Sequence, residues 1–114
     1  MRTLQELQLW IAENLQPRLS VEDLTGHVAM SVRNFEGVFT REVGIAPAQY
    51  VMHSRVEASR RQLEHTDRGF KQVAAATGLG GPDSMRRAFV RLLGITPQRY
   101  RAQVRAGARF AATI

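Results

Sequence analysis

Cysteine is absent from the 114 residues, which excludes disulfide staples and thiolate zinc sites. No apolar run approaches the ~20 residues that a membrane-spanning helix needs. The opening stretch 1–15 mixes glutamine and glutamate with its apolar residues and does not read as a secretory leader. No segment alternates apolar and polar residues with period two, so no sheet is expected. His27, His53 and His65 form no i, i+4 pair and have no cysteine partners, so no metal site is expected. Gly78, Gly80 and Gly81 lack the preceding strand and the lysine of a phosphate-cradling loop, and no nucleophile–base–acid set stands out. The chain therefore reads as a non-enzyme without a cofactor.

Acidic residues are nearly missing from one part of the chain. Residues 68–114 hold eight arginines and Lys71 against one acid, Asp83, for a net +8. Residues 1–67 hold seven arginines and nine acids, for a net −2. The overall charge is +6 and the isoelectric point about 11.2, which favours a polyanionic partner: DNA, RNA or an acidic surface. Lysine is almost absent, with 15 arginines to 1 lysine. Arginine binds phosphate and guanine in a bidentate way that lysine does not. Genomic base composition also raises arginine, so the weight rests on where the arginines fall. A hydrophobic content of 44% with 23% charged residues fits a folded globular chain.

The chain repeats itself. Phe39, Arg41, Gly44, Ile45, Pro47 and Tyr50 recur as Phe89, Arg91, Gly94, Ile95, Pro97 and Tyr100, at a constant offset of 50. The shared pattern is F-x-R-x-x-G-I-x-P-x-x-Y. Helical periodicity predicts an all-α fold of seven helices at about 4–15, 21–28, 32–43, 47–65, 70–77, 82–93 and 97–105. Pro17 ends the first, Ser20 caps the second and Ser31 the third. Pro47 and Pro82 open the fourth and sixth, Gly44 and Gly94 close the third and sixth, and Thr96 caps the seventh. Leu4, Leu7, Ile11 and Leu15 form one stripe of the first helix, with Trp10 beside it. Met85, Phe89, Leu92 and Leu93 point inward on the sixth.

These elements divide into an N-terminal helix with a first helix-turn-helix (1–46), a long linker helix (47–66), a second helix-turn-helix with a closing helix (67–106) and a tail (107–114). Ala74 suits a close helix crossing, and Gly78 a turn at positive φ. The outward residues are Val32, Arg33, Asn34, Glu36, Gly37 and Thr40 in the first unit, and Asp83, Ser84, Arg86, Arg87, Val90 and Arg91 in the second. A linker helix of ~18 residues at ~1.5 Å each is about 27 Å long. With its turns it suits two recognition helices in adjacent major grooves, ~34 Å apart.

The sequence resembles the DNA-binding domain of AraC/XylS-type bacterial transcription regulators over about residues 4–101. The resemblance rests on V-A-A-A-T-G-L at 73–79, S-M-R-R-A-F at 84–89 and G-I-T-P-Q-R-Y-R at 94–101. S-V-E-D-L at 20–24 and M-S-V-R-N-F at 30–35 add to it. G-L-G-G-P-D-S-M-R-R-A-F is most similar to members whose N-terminal domain resembles a glutamine amidotransferase.

The resemblance implies a cytoplasmic, sequence-specific binder of double-stranded promoter DNA, an activator or a repressor, with RNA polymerase as a candidate further partner and no membrane role. Effector sensing or dimerisation would lie in an N-terminal domain outside this chain, the alternative being a complete small regulator of the kind some family members are. It implies base contacts from Arg33, Asn34, Glu36, Asp83, Ser84 and Arg87, and phosphate contacts from Ser31, Arg86, Arg91 and Arg101. Arg87, one turn into its helix, suits guanine O6 and N7. Thr25, Ala29, Gly37 and Gly81 depart from the family pattern. Gly37 has no side chain at a position that often reads bases, so the first unit reads fewer bases than the second or serves as a clamp.

Several residues also have plainer readings. Arg86, Arg87 and Arg91 also fit a merely solvated basic face. Arg55, Arg60 and Arg61 face either DNA or acids of the domain. Ser84 is either a DNA contact or a first-turn polar residue. The aromatic residues suit core packing better than base stacking, and the tail suits a frayed end better than a DNA-binding arm. The alternative function is a basic helical module that binds an acidic protein, RNA or RNA polymerase.

Overall fold

The computed structural model describes residues 4–15, 21–26 and 30–113. Pro17, Ser20, Val28 and Ala29 lie outside them, as do the side chains beyond Gly107. Among the described residues there are seven α-helices and no strand: α1 (Leu4–Glu13), α2 (Val21–Thr25), α3 (Val32–Val43), α4 (Pro47–His65), α5 (Phe70–Ala76), α6 (Pro82–Leu93) and α7 (Pro97–Thr113). None is long and apolar enough to cross a membrane.

The bounds of α3, α4 and α6 are those that the caps and stops predict. The Ser31 hydroxyl accepts from the Asn34 N–H at 3.3 Å and opens α3. Gly44, at φ 96°, closes it in the left-handed region that a side chain resists. The prolines at the starts of α4 and α7 sit where a helix has no use for an N–H. Beside them, Gln49 Oε1 accepts from the Ala46 N–H (3.3 Å), and Thr96 Oγ1 accepts from the Arg99 N–H (3.2 Å).

Four other helices differ from expectation. Helix α2 ends at Thr25, with Gly26 already in a turn, and the expected end at Val28 lies outside the described residues. Helix α1 stops two residues early, where the Asn14 side chain donates to the Trp10 carbonyl (2.8 Å) and the Asn14 N–H closes a tighter turn on Ile11 (3.1 Å). Helix α5 stops at Ala76, one residue early, because Gly78 takes a left-handed φ of 80° and leaves Thr77 as the C-cap, its hydroxyl turned inward. That hydroxyl donates to the Val73 carbonyl (2.8 Å) and accepts from Ser59 (2.7 Å), deep between α4 and α5. Helix α7 continues to Thr113, eight residues beyond the expected end. The segment read as a tail holds three alanines and Arg109, all strong helix formers, and the single glycine there does not end the helix.

Two cores share the linker helix. Leu7, Ile11, Leu15, Leu24, Phe35, Phe39 and Val51 form the first. Val56, Leu63, Val73, Ala74, Leu79, Met85, Ala88 and Phe89 form the second. Helix α4 therefore gives its first turns to one core and its later turns to the other. The sequence repeat becomes a repeated aromatic contact: Phe39 meets Tyr50 edge-on at 5.5 Å, and Phe89 meets Tyr100 at 6.1 Å. Such pairs add to the area they bury. Leu93, expected inward, is 39% exposed, so α6 presents a narrower apolar stripe than its sequence suggests.

The units also touch away from their cores. The Leu15 carbonyl, at the end of the α1 segment, lies against the Cα of Gly78 in the α5–α6 turn, and a methyl group built on Gly78 would overlap it. Arg55 of α4 donates its Nε–H to the same carbonyl at 3.3 Å. Burial at this junction pulls the Arg55 pKa down.

Candidate nucleic-acid interface

Helix α6 is amphipathic by necessity. Met85, Ala88 and Phe89 are buried, so the residues between them must face out. Asp83, Ser84, Arg86, Arg87, Val90 and Arg91 are all exposed. Ala74 is fully buried where α5 crosses beneath, and the Leu79 and Gly80 N–H groups both bond its carbonyl (2.9 and 3.2 Å). The tight turn that results sets α6 across α5 in helix-turn-helix geometry.

The exposed polar groups of α6 pair locally. Arg87 Nη2 donates to the Ser84 hydroxyl at 3.3 Å, and an Arg86 nitrogen lies 3.8 Å from the Asp83 carboxylate. Exposed pairs of this kind contribute ~0–1 kcal/mol. They hold the guanidinium groups over the outer face yet yield readily to a stronger acceptor. The Gln98 side chain shares a cleft with Asp83 and Arg86 at the start of α7. Sequence reasoning missed this neighbour. The second I-x-P-x-x-Y motif carried the signal, because it places a helix start beside α6.

Helix α3 is built the same way. Phe35 and Phe39 are fully buried, and Arg33, Asn34, Glu36, Gly37 and Thr40 are exposed, with Val32 half-buried. Ser31, Arg33, Asn34, Gly37, Val38 and Arg41 border one open notch. The Ser31 hydroxyl accepts from its own helix, which leaves its proton for another acceptor. Arg91 stands apart from the tip of α6, on a groove shared with Ala48, Gln49, Met52 and His53 of α4.

Arg101 is corrected from the phosphate-contact set. It is only 8% exposed. Its guanidinium donates to the carbonyls of Leu63 (3.2 Å), Thr66 (3.2 Å) and Arg68 (2.6 Å) and stacks 5.3 Å over the Phe70 ring. Desolvation lowers its pKa first and Arg105 second, with Asp67 opposing. A guanidinium committed to three carbonyls is structural. Two linker arginines are structural as well. Arg55 holds Leu15, and Arg60 donates to the Tyr100 hydroxyl (3.2 Å) and to Glu57 (2.8 Å). The Tyr100 bond is the main cause that raises the Arg60 pKa. Tyr100 in turn donates to the Glu64 carboxylate. The aromatic residues pack inward as expected, with Phe35, Phe39 and Phe89 fully buried.

Comparison with known proteins agrees with this geometry. A family model described as a helix-turn-helix domain matches residues 24–103. The HTH-type transcriptional regulator Rv1931c of Mycobacterium tuberculosis is 47% identical over 81 residues, which is 71% of this chain and 31% of that protein. The melibiose operon regulatory protein of Escherichia coli (strain K12) is 28% identical over 92 residues, 81% of this chain and 30% of that protein. The chain thus spans about a third of the length of these curated relatives. Among solved structures, the DNA-binding domain of AdpA, a global transcriptional factor in complex with a target DNA, superposes with a TM-score of 0.87. It is 36% identical, with 93% of this chain and 96% of that one covered.

Proposed function

The chain belongs to the AraC-type helix-turn-helix family, and from that membership we propose that it is the promoter-reading part of a bacterial transcription regulator. Helices α3 and α6 enter successive major grooves of double-stranded DNA. Arg33, Asn34, Glu36, Asp83, Ser84 and Arg87 face base edges, and Ser31, Arg86 and Arg91 face phosphates. The observation that carries this reading is Arg87: exposed, one turn into α6, and tethered among the described residues only to Ser84. An arginine so placed matches the two acceptors of guanine. The charge difference between the two parts of the chain supports a dominant second unit.

Sensing of an effector, dimerisation and any contact with RNA polymerase belong to the intact regulator in the cytoplasm. The short span of this chain against its relatives supports that division. The test is selection of sites from a random duplex library at ~150 mM salt, where counterion release alone leaves only weak binding. Two enriched blocks centred about one helical turn apart are expected. Salt-sensitive binding with no enriched sequence would instead favour a general anion-binding module.

A further inference from the structure

Gly37 lies in the middle of α3, where glycine is among the poorest residues and alanine the best. The fold does not require it. A Cβ placed there would meet nothing within 4 Å. The internal repeat sharpens the point, because the offset of 50 puts Gly37 in the register of Arg87. The second unit has its longest reader at this position, and the first unit has a gap.

The chemistry of the gap narrows its occupant. Gly37 lies inside α3, where backbone N–H groups are spent on the helix, so the floor of the notch offers Cα–H and no free donor. Val38 adds an apolar wall, and the polar groups sit on the rim: Arg33, Asn34 and Arg41. A phosphate would find no donor at the floor. Along the major-groove edge of DNA the one apolar group is the thymine 5-methyl.

We propose that the Gly37 notch seats a thymine 5-methyl group against the Gly37 Cα and the Val38 side chain. The first unit then selects a T·A pair by shape where the second selects guanine by hydrogen bonds. Asn34, one turn earlier on the same rim, has the amide that pairs with adenine N6 and N7. This inference rests on the DNA-reading function proposed above.

The test uses this chain and a duplex carrying its selected site, with binding followed by fluorescence anisotropy. Each thymine of the first-unit block is replaced in turn by deoxyuridine, which removes only the methyl. One position is expected to lose about fourfold in affinity, the worth of one buried methyl-sized group. Gly37→Ala is expected to raise Tm by ~4 °C, to bind the thymine duplex at least tenfold more weakly, and to recover on the deoxyuridine duplex. Gain of stability with loss of binding cannot come from misfolding. Sequence-specific binding that no deoxyuridine alters, or a Gly37→Ala chain that binds both duplexes like the parent, overturns the inference alone. A parent chain with no sequence preference overturns the DNA-reading function and this inference with it.

Discussion

Arg101→Ala is expected to cost about 3 kcal/mol of folding stability while leaving the DNA contacts in place. Hydrogen bonds to a charged group contribute ~1.5–3 kcal/mol each, so three of them set an upper bound well above that figure. The bound is not reached, because the Thr66 and Arg68 carbonyls sit in part-buried bonds and rehydrate once the guanidinium is gone. The Leu63 carbonyl is in a buried bond and remains unsatisfied. The cation also lies near the C-terminal end of α4, where the helix dipole favours it. At ~4 °C per kcal/mol for a domain of this size, Tm falls by about 12 °C. Arg101→Lys keeps the charge but has no planar fork, so about half the loss is expected. Thermal melts by circular dichroism give Tm, and titrations at several salt concentrations give the slope of log K against log salt. A slope unchanged by Arg101→Ala fits the structural role. A Tm within ~2 °C of the parent, together with a slope reduced by about one, would return Arg101 to the phosphate set and refute the reasoning.

The other predictions are brief. Arg87→Ala is expected to cost ~1–3 kcal/mol on the selected site and to relax preference at one base pair, with Glu36→Ala costing less; equal loss on all sequences would mark Arg87 as a phosphate contact. Gly78→Ala combines a positive φ of 80° with backbone overlap at Leu15, so a loss of at least ~2 kcal/mol in urea unfolding is expected, and a parent-like midpoint would show that the junction yields. Tyr100 holds its proton above its ordinary 10.0, because of burial first and its bond to Glu64 second. Its share of stability is complete below about pH 10 and falls as pH rises through the folded-state value. Tyr100→Phe flattens that decline in denaturation series between pH 8 and 11, and an unchanged slope would remove Tyr100 as its source.

Much of the fold was legible because its signals are local. Ser31, Pro47, Pro82 and Gly44 fix helix ends by the chemistry of one or two residues, and those ends match. Phe35, Phe39, Met85 and Phe89 follow from period alone, and so do the outward faces between them. What stayed hidden depends on partners far along the chain. Arg101 reads as one more basic residue at the end of a motif, yet its three carbonyls lie 33–38 residues away. The hydroxyl of Thr77 pairs with that of Ser59, 18 residues earlier, which no local signal announces. The length of α7 differs for the opposite reason: the segment expected as a frayed end carries local alanine propensity, and that propensity prevails.

The Leu15–Gly78–Arg55 junction makes the chain a ruler. It ties the α1 segment, α4 and the α5–α6 turn together, and under the proposed function this holds α3 and α6 at one mutual setting. Inserting one base pair between the two blocks turns the second away by ~34° and shifts it by ~3.4 Å, since B-DNA completes a turn in ~10.5 base pairs. A rigid clasp cannot follow both displacements. Under the proposed function, the spacing of a cognate site is as much a part of its sequence as its bases, and one fixed gap is expected rather than a family of them.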